Sequence, residues 1–175
     1  MWSLLPIQSK PQRELAGTLI HEYLLWINES AQREYGLTFD IAAMLASDIA
    51  DATKFQPPRG RFYLAQNGDQ VGGVGCLKQL QADIAEVQRM YVRPEFRGQG
   101  IGRMIAERLI SDARRMGYRK LRLESLKFLV AAHDLYRSLG FKEIASYADN
   151  SMREYQAAEV IEMYQTKVVF MELVL

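Results

Sequence analysis

The segment Val92-Arg93-Pro94-Glu95-Phe96-Arg97-Gly98-Gln99-Gly100-Ile101-Gly102-Arg103 decides the fold. Before it, Ile84 to Val92 reads as a strand that Pro94 ends. After it, Ile101, Met104, Ile105, Leu109, Ile110 and Ala113 recur at the spacings of an amphipathic helix running to Met116, with Gly117 suited to its C-terminal cap. A chain that turns through glycines into a helix presents the helix's first N–H groups, which have no intrahelical acceptors, at the positive end of the macrodipole. An anion is stabilised there without a dedicated side chain, and Gly98, Gly100 and Gly102 let it approach the main chain. Arg97 and Arg103 can add charge-assisted hydrogen bonds of about 1.5 to 3 kcal/mol each. The plainer alternative is a tight strand-to-helix turn flanked by solvated arginines. Two other nucleotide loops are excluded: Arg103 stands where a dinucleotide fingerprint needs its third glycine, and no Gly-Lys-Ser/Thr occurs.

Working outward, Arg61 to Gln66 and Gln70 to Leu77 flank Asn67-Gly68 as a β-hairpin, and a turn at Gln81 to Asp83 leads into the strand ending at Val92, giving an antiparallel meander. Gly72, Gly73 and Gly75 in the middle strand mark a bulge or a close approach of another backbone. Upstream, Pro11 to Asn28 and Asp40 to Thr53 carry apolar residues at helical spacing, with Thr38 or Asp40 able to cap the second. Downstream follow a short strand at Leu121 to Leu123 and a helix from Val130 to Leu139 closed by Gly140. Then come a strand from Phe141 to Tyr147, an unpatterned acidic segment to about Thr166 and a last strand from Lys167 to Leu175.

The 175 residues suit one domain, residues 1–175. With 49% hydrophobic and 25% charged residues, the chain has the composition of a packed globule with no long disordered tail. Lys and Arg total 22 against 21 Asp and Glu, so the net charge of +1 offers no footprint for nucleic acid or an anionic membrane, and any anion site is local. One cysteine, Cys76, and two histidines, His21 and His133, cannot assemble a structural zinc cluster or an internal disulfide. A reducing, cytoplasmic setting and no metal are expected, as are no signal peptide and no membrane span.

The run Ala85-Glu86-Val87-Gln88-Arg89-Met90-Tyr91-Val92, then Arg97-Gly98-Gln99-Gly100-Ile101-Gly102, Leu123-Glu124-Ser125 and Ala132-His133-Asp134-Leu135-Tyr136-Arg137-Ser138-Leu139-Gly140-Phe141, resembles the GNAT superfamily of acyl-CoA N-acyltransferases. The likeness is close from about Arg61 to Tyr147. It implies an α/β fold of the α+β kind: a mixed, mostly antiparallel sheet of six to seven strands with about four helices, its central strands splayed between Val92 and Leu121 to receive coenzyme A. By that resemblance Met90 and Val92 pair through their backbones with the pantetheine arm, and an amide near Met90 or Tyr91 polarises the thioester carbonyl. Gly98 and the amides from Gln99 through Gly100, Ile101 and Gly102 to Arg103 hold the pyrophosphate, with Arg97 beside it. Many relatives carry an asparagine where this chain has Leu129, seven residues before Tyr136, so that polar contact is missing here.

The resemblance also implies acetyl-CoA as co-substrate, Tyr136 as general acid at the departing sulfur, and Glu86 as the base that deprotonates the amine through water. Tyr136 could instead only pack with its helix, and Glu86 could be a solvated strand carboxylate. His133 could relay a proton or be merely exposed, whereas Cys76 reads as core rather than as a nucleophile. The expected acceptor is the primary amine of a small molecule, approached in the segments before Gly60 and from Ala148 to Thr166, where Asp149, Glu154, Glu159 and Glu162 are either a cation lure or a solvated face. A protein lysine or N-terminus is the alternative acceptor, and an acyl-CoA sensor without turnover the alternative class. A homodimer is left open.

Overall fold

The structure, a computed structural model, describes residues 1–50, 52–147 and 156–175. In chain order the elements are β1 (Ser3–Pro6), α1 (Lys10–Tyr35), α2 (Ile41–Ala50), β2 (Arg61–Asn67), β3 (Gln70–Gln81), β4 (Ile84–Val92), α3 (Ile101–Arg115), β5 (Lys120–Leu126), α4 (Val130–Ser138), β6 (Lys142–Ile144), α5 (Ala158–Gln165) and β7 (Val168–Val174). The strands form one seven-stranded sheet in the order β1-β2-β3-β4-β5-β7-β6. Every neighbouring pair is antiparallel except β4 with β5.

Several boundaries move from the expected ones for local reasons. Helix α1 continues past Asn28 because Ser30 and Ala31 are buried, and it stops where Gly36 adopts a left-handed conformation. Its start is a capping box: Ser9 Oγ accepts from Gln12 N–H, and Gln12 Oε1 accepts from Ser9 N–H at 2.9 Å. Asp40 rather than Thr38 caps α2, Oδ1 accepting from Ala43 N–H at 2.8 Å. Asn67 pairs with Gln70, so the hairpin turns through Gly68-Asp69 instead of Asn67-Gly68. Strand β6 is shorter than Phe141 to Tyr147. The segment expected to be unpatterned contains α5, which buries Ile161 and Tyr164. Glu159 and Glu162 are exposed on it, while Asp149 and Glu154 lie outside the described residues.

The sheet separates two cores. One, under α1, α2 and α5, contains Leu19, Leu24, Leu64, Val74, Tyr91 and Phe170. The other, under α3 and α4, contains Tyr63, Leu77, Val87, Ile105, Leu109 and Leu121. Strand alternation assigns each residue to a face, and within β4 it slips. Val74 pairs with Tyr91 but Cys76 pairs with Gln88, so β4 spends three steps where β3 spends two. This is a β-bulge at Arg89, whose φ is +50°, and it sends Ala85 and Val87 to one core with Met90 and Val92, leaving Tyr91 to the other. A second bulge falls at Gly72, where Ala65 pairs with Gly73 and Gln66 with Val71.

Close approach explains the glycines of β3. Side chains, more than backbone, are what come near: a Cβ at Gly72 would lie 2.5 Å from the Trp2 ring, and one at Gly75 would lie 2.4 Å from Ile105 Cγ2. Only Gly73 faces a main-chain atom, Tyr91 O at 2.9 Å. Helix α3 therefore sits directly on β3. No helix among the described residues is long and apolar enough to cross a membrane. Because Ile105 is fully buried and cannot retreat, Gly75→Ala is expected to destabilise the fold by about 1 to 3 kcal/mol, read as a lower denaturation midpoint at unchanged m-value.

Candidate functional site

The parallel ladder between β4 and β5 is short: Ile84, Ala85 and Glu86 pair with Lys120, Leu121 and Arg122, and there it ends. Beyond it the strands part around a cavity of about 600 Å³. Residues 90–92, 97, 98 and 100–103 all line this slot, as does Tyr136 from α4. Gln99 does not. Its Oε1 accepts from Trp2 Nε1–H at 2.9 Å, so the side chain turns toward β1.

At one end of the slot lies the start of α3. Gly98 and Gly100 have φ of +77° and +81°, and a Cβ on either would meet open space. Only a residue without a Cβ adopts these angles freely, so the glycines set the path of the loop while nothing crowds it. The first α3 ladder bond runs from Met104 N–H to Gly100 O at 3.0 Å, leaving the amides of Ile101, Gly102 and Arg103 ahead of it. Two arginines flank these donors. Arg97 Nε–H donates to Val92 O at 3.1 Å with its guanidinium over the Trp26 ring, 4.9 Å from the centroid. Arg103 reaches across to α4, donating to Ser138 Oγ at 2.7 Å.

The loop is braced from a direction that sequence reading missed. Trp2, just ahead of β1, meets Phe96 edge to face at 5.0 Å, lies over Gly72 and holds Gln99. The one visible trace of this arrangement was the row of glycines in β3, which pointed to a close approach without naming Trp2.

The Tyr136 hydroxyl is buried beside Met90 and donates to its Sδ at 3.3 Å. Burial, reinforced by Tyr23, pushes the phenol well above its ordinary value, so it is held protonated. Glu86 is fully buried rather than solvated. One oxygen accepts from Gln88 Nε2–H at 2.7 Å and the other from the Tyr147 hydroxyl at 3.1 Å. Among the described residues Glu86 is not part of the slot wall; Gln88, two residues on, is. Glu124 of β5 lines the slot as well.

His133 is buried, not exposed, with Nε2 hydrogen-bonded to Ser125 Oγ at 3.1 Å, and burial lowers its pKa so that it stays neutral. It ties α4 to β5 behind the slot. Cys76 is buried in β3, and burial raises its thiol well above the ordinary range, as suits a core residue. Leu129 lines the slot as an apolar group at the start of α4, which has no side-chain cap.

Residues 13–141 match the model of the acetyltransferase (GNAT) family. The chain belongs to this family. Among its relatives is the uncharacterized N-acetyltransferase YjgM of Escherichia coli K12, 36% identical over 116 residues that make up 63% of this chain and 70% of that protein. The N-acetylaspartate synthetase of Rattus norvegicus is 33% identical over 105 residues, 58% of this chain but 35% of that longer protein. The fold matches that of a GNAT acetyltransferase from Staphylococcus aureus with a TM-score of 0.71 at 18% identity, covering 99% of both chains. It also matches a Bacillus subtilis acetyltransferase solved in complex with CoA, with a TM-score of 0.61 at 18% identity, covering 100% of this chain and 99% of that one.

Membership makes the chain an acyl-CoA-dependent N-acetyltransferase, and its residues suit such a co-substrate. The unladdered amides ahead of Met104 and the uncrowded glycines fit a pyrophosphate, and the part of the slot beside Leu129, Leu135 and Met90 fits an apolar arm. Since Trp2 braces the loop through Gln99, Trp2→Ala is expected to weaken coenzyme A binding by about fivefold, the worth of one neutral hydrogen bond, with helix content unchanged by circular dichroism. Calorimetric titration measures it.

Proposed function

We propose that the chain acetylates the primary amine of a small molecule by direct attack of that amine on acetyl-CoA in the slot between β4 and β5. One observation carries the reading: the buried Tyr136 hydroxyl and the amide-rich start of α3 line the same cavity. The likeness to N-acetylaspartate synthetases, whose name describes a small amino-acid product, favours a small acceptor over a protein.

In the reaction the thioester supplies an electrophilic carbonyl and a sulfur leaving group. A bond forms from the amine nitrogen to the carbonyl carbon, the carbon–sulfur bond breaks with its electron pair remaining on sulfur, and the nitrogen sheds two protons, one from the ammonium before attack and one as the amide forms. Amides at the α3 start and Arg97 bind the diphosphate, while Met90 and Val92 offer main-chain groups to the pantetheine arm. An amide near Met90 or Tyr91 polarises the carbonyl.

Tyr136 stabilises the departing sulfur by hydrogen bonding. At ordinary values a phenol near ~10 is a weaker acid than a thiol near ~8.5, so full proton transfer is uphill by about 2 kcal/mol. Burial raises the phenol further and widens that gap. The hydroxyl therefore donates a hydrogen bond as negative charge develops, and solvent supplies the proton of the free thiol. Deprotonating an alkyl ammonium of pKa ~10.4 costs about 4.6 kcal/mol at neutral pH, which calls for a carboxylate within reach. Glu86, standing behind Gln88, serves only across an intervening group such as water.

Thiol release from acetyl-CoA against a panel of amines tests the reading. Turnover with small amines is expected; activity confined to peptides would move the acceptor to a protein lysine or N-terminus, and silence with both would leave a sensor. Tyr136→Phe is expected to lower kcat by about 10²-fold with coenzyme A affinity nearly intact. Gly100→Glu, which forces a side chain onto a φ of +81° and places a carboxylate at the phosphate site, is expected to abolish coenzyme A binding in a calorimetric titration.

A further inference from the structure

The Tyr136 side chain is held at three points. Its helix is fastened to β5 by the bond between His133 and Ser125, one turn earlier in α4. Its ring packs against Phe141 with 5.6 Å between centroids. Its hydroxyl oxygen stands 3.3 Å from Sδ of Met90, which lines the slot from β4. With the ring fixed, what remains to be set is the hydroxyl hydrogen, which rotates to suit whatever acceptor it meets. A thioether sulfur has no hydrogen to give, so Met90 accepts and the phenol donates.

Met90 reaches this hydroxyl because the bulge at Arg89 turns it to the α3 and α4 side of the sheet. The kind of acceptor matters as much as its place. A neutral thioether accepts weakly, whereas a sulfur gaining negative charge accepts strongly, since charge-assisted hydrogen bonds are about twice as strong as neutral ones. A phenol aimed by a thioether therefore passes its hydrogen bond to the leaving sulfur as the carbon–sulfur bond breaks. The interaction grows on the way to the transition state, which is the condition for raising kcat rather than only tightening binding. An oxygen acceptor in the same place would hold the hydroxyl against that exchange. An alkyl group would leave a buried hydroxyl without a partner and without a direction. Burial keeps the phenol protonated, so the hydrogen to be aimed is present.

We propose that the Met90 side chain is a positioning residue for acetyl transfer: its thioether points the Tyr136 hydroxyl into the slot and yields it to the departing sulfur. This rests on Tyr136 stabilising that sulfur, and it holds for a small amine and for a peptide acceptor alike. The role belongs to the side chain, apart from the main-chain groups that Met90 offers the pantetheine arm, so substitution separates the two.

The test is thiol release from acetyl-CoA with the amine or peptide that turns over fastest, for Met90→Leu and Met90→Gln, each alone and combined with Tyr136→Phe. Leucine removes the acceptor at nearly constant volume, and glutamine replaces it with an oxygen acceptor of similar length. Met90→Leu is expected to lower kcat by about fivefold and Met90→Gln by about tenfold. Coenzyme A affinity, measured by calorimetric titration, is expected not to weaken, which shows that the fold and the arm site are intact. Neither substitution is expected to lower kcat further once Tyr136→Phe is in place, because no hydroxyl is left to aim. A merely structural role would lower kcat by the same factor in both backgrounds. Wild-type kcat in either single variant, equal losses with and without the phenol, or coenzyme A affinity falling in step with kcat overturns the inference. A loss of kcat in Tyr136→Phe beside unchanged Met90 variants would sink this inference alone, whereas full kcat in Tyr136→Phe would sink the role of Tyr136 and this inference with it.

Discussion

One extra residue in β4 organises the molecule. At Arg89 the strand takes a left-handed backbone angle that a residue with a side chain adopts at a cost on the order of 1 to 3 kcal/mol. The surroundings hold it there. Arg89 donates to both oxygens of Asp48 on α2, and Lys54 meets the same carboxylate at 2.9 Å, so a buried charge cluster offsets the strain and fastens α2 to the sheet. Removing one partner would strand the other charges, so the bulge is locked from both sides. The face reversal that follows puts Met90 and Val92 toward α3 and α4 and Tyr91 toward α1. The same stretch of β4 also leaves its parallel partner. Without the reversal, Met90 would not meet the Tyr136 hydroxyl.

The parts of the fold that could be read in the sequence are those in which one element carries its own signal. Helix α3 buries Ile101, Ile105, Leu109, Ile110 and Ala113 on a single stripe, and the glycine loop ahead of it has a local physical meaning. Short or weakly buried elements left little trace. Strand β1 is four residues long and shows itself only by pairing with β2, and α5 buries just Ile161 and Tyr164 among acidic neighbours. The bulge was invisible for a different reason. Gln88-Arg89-Met90 contains no glycine, and the left-handed angle at Arg89 is stabilised by Asp48, a residue far away in sequence. GNAT membership, inferred from four short motifs, agrees with the family match over residues 13–141.

The candidate site divides in the same way. Residues of the loop and of the Leu-Tyr motif could be proposed from their own segment, and nearly all of them line the slot. The opposing wall could not, because Tyr23, Glu124 and Tyr164 come from three separate elements and Phe39 from the segment between α1 and α2. Glu124 was visible as part of Leu-Glu-Ser, but its orientation depends on the register that pairs Glu86 with Arg122. His133 misled for the same reason: helical spacing puts it near Tyr136, whereas its surroundings are set by Ser125 on the adjacent strand.

Helix α1 joins the two halves. Its Glu22 takes two donors from Arg93, at 2.9 and 2.6 Å, just where β4 runs into the loop, and Arg93 also donates to Val71 O of β3. One turn further, Trp26 lies beneath the guanidinium of Arg97, just ahead of the glycine loop in the chain. Tyr23 and Trp26 also pack against Tyr91. Arg97 thus ties the turn after β4 to the aromatic face of α1, so that one helix braces both the start of the glycine loop and the strand that leads into it.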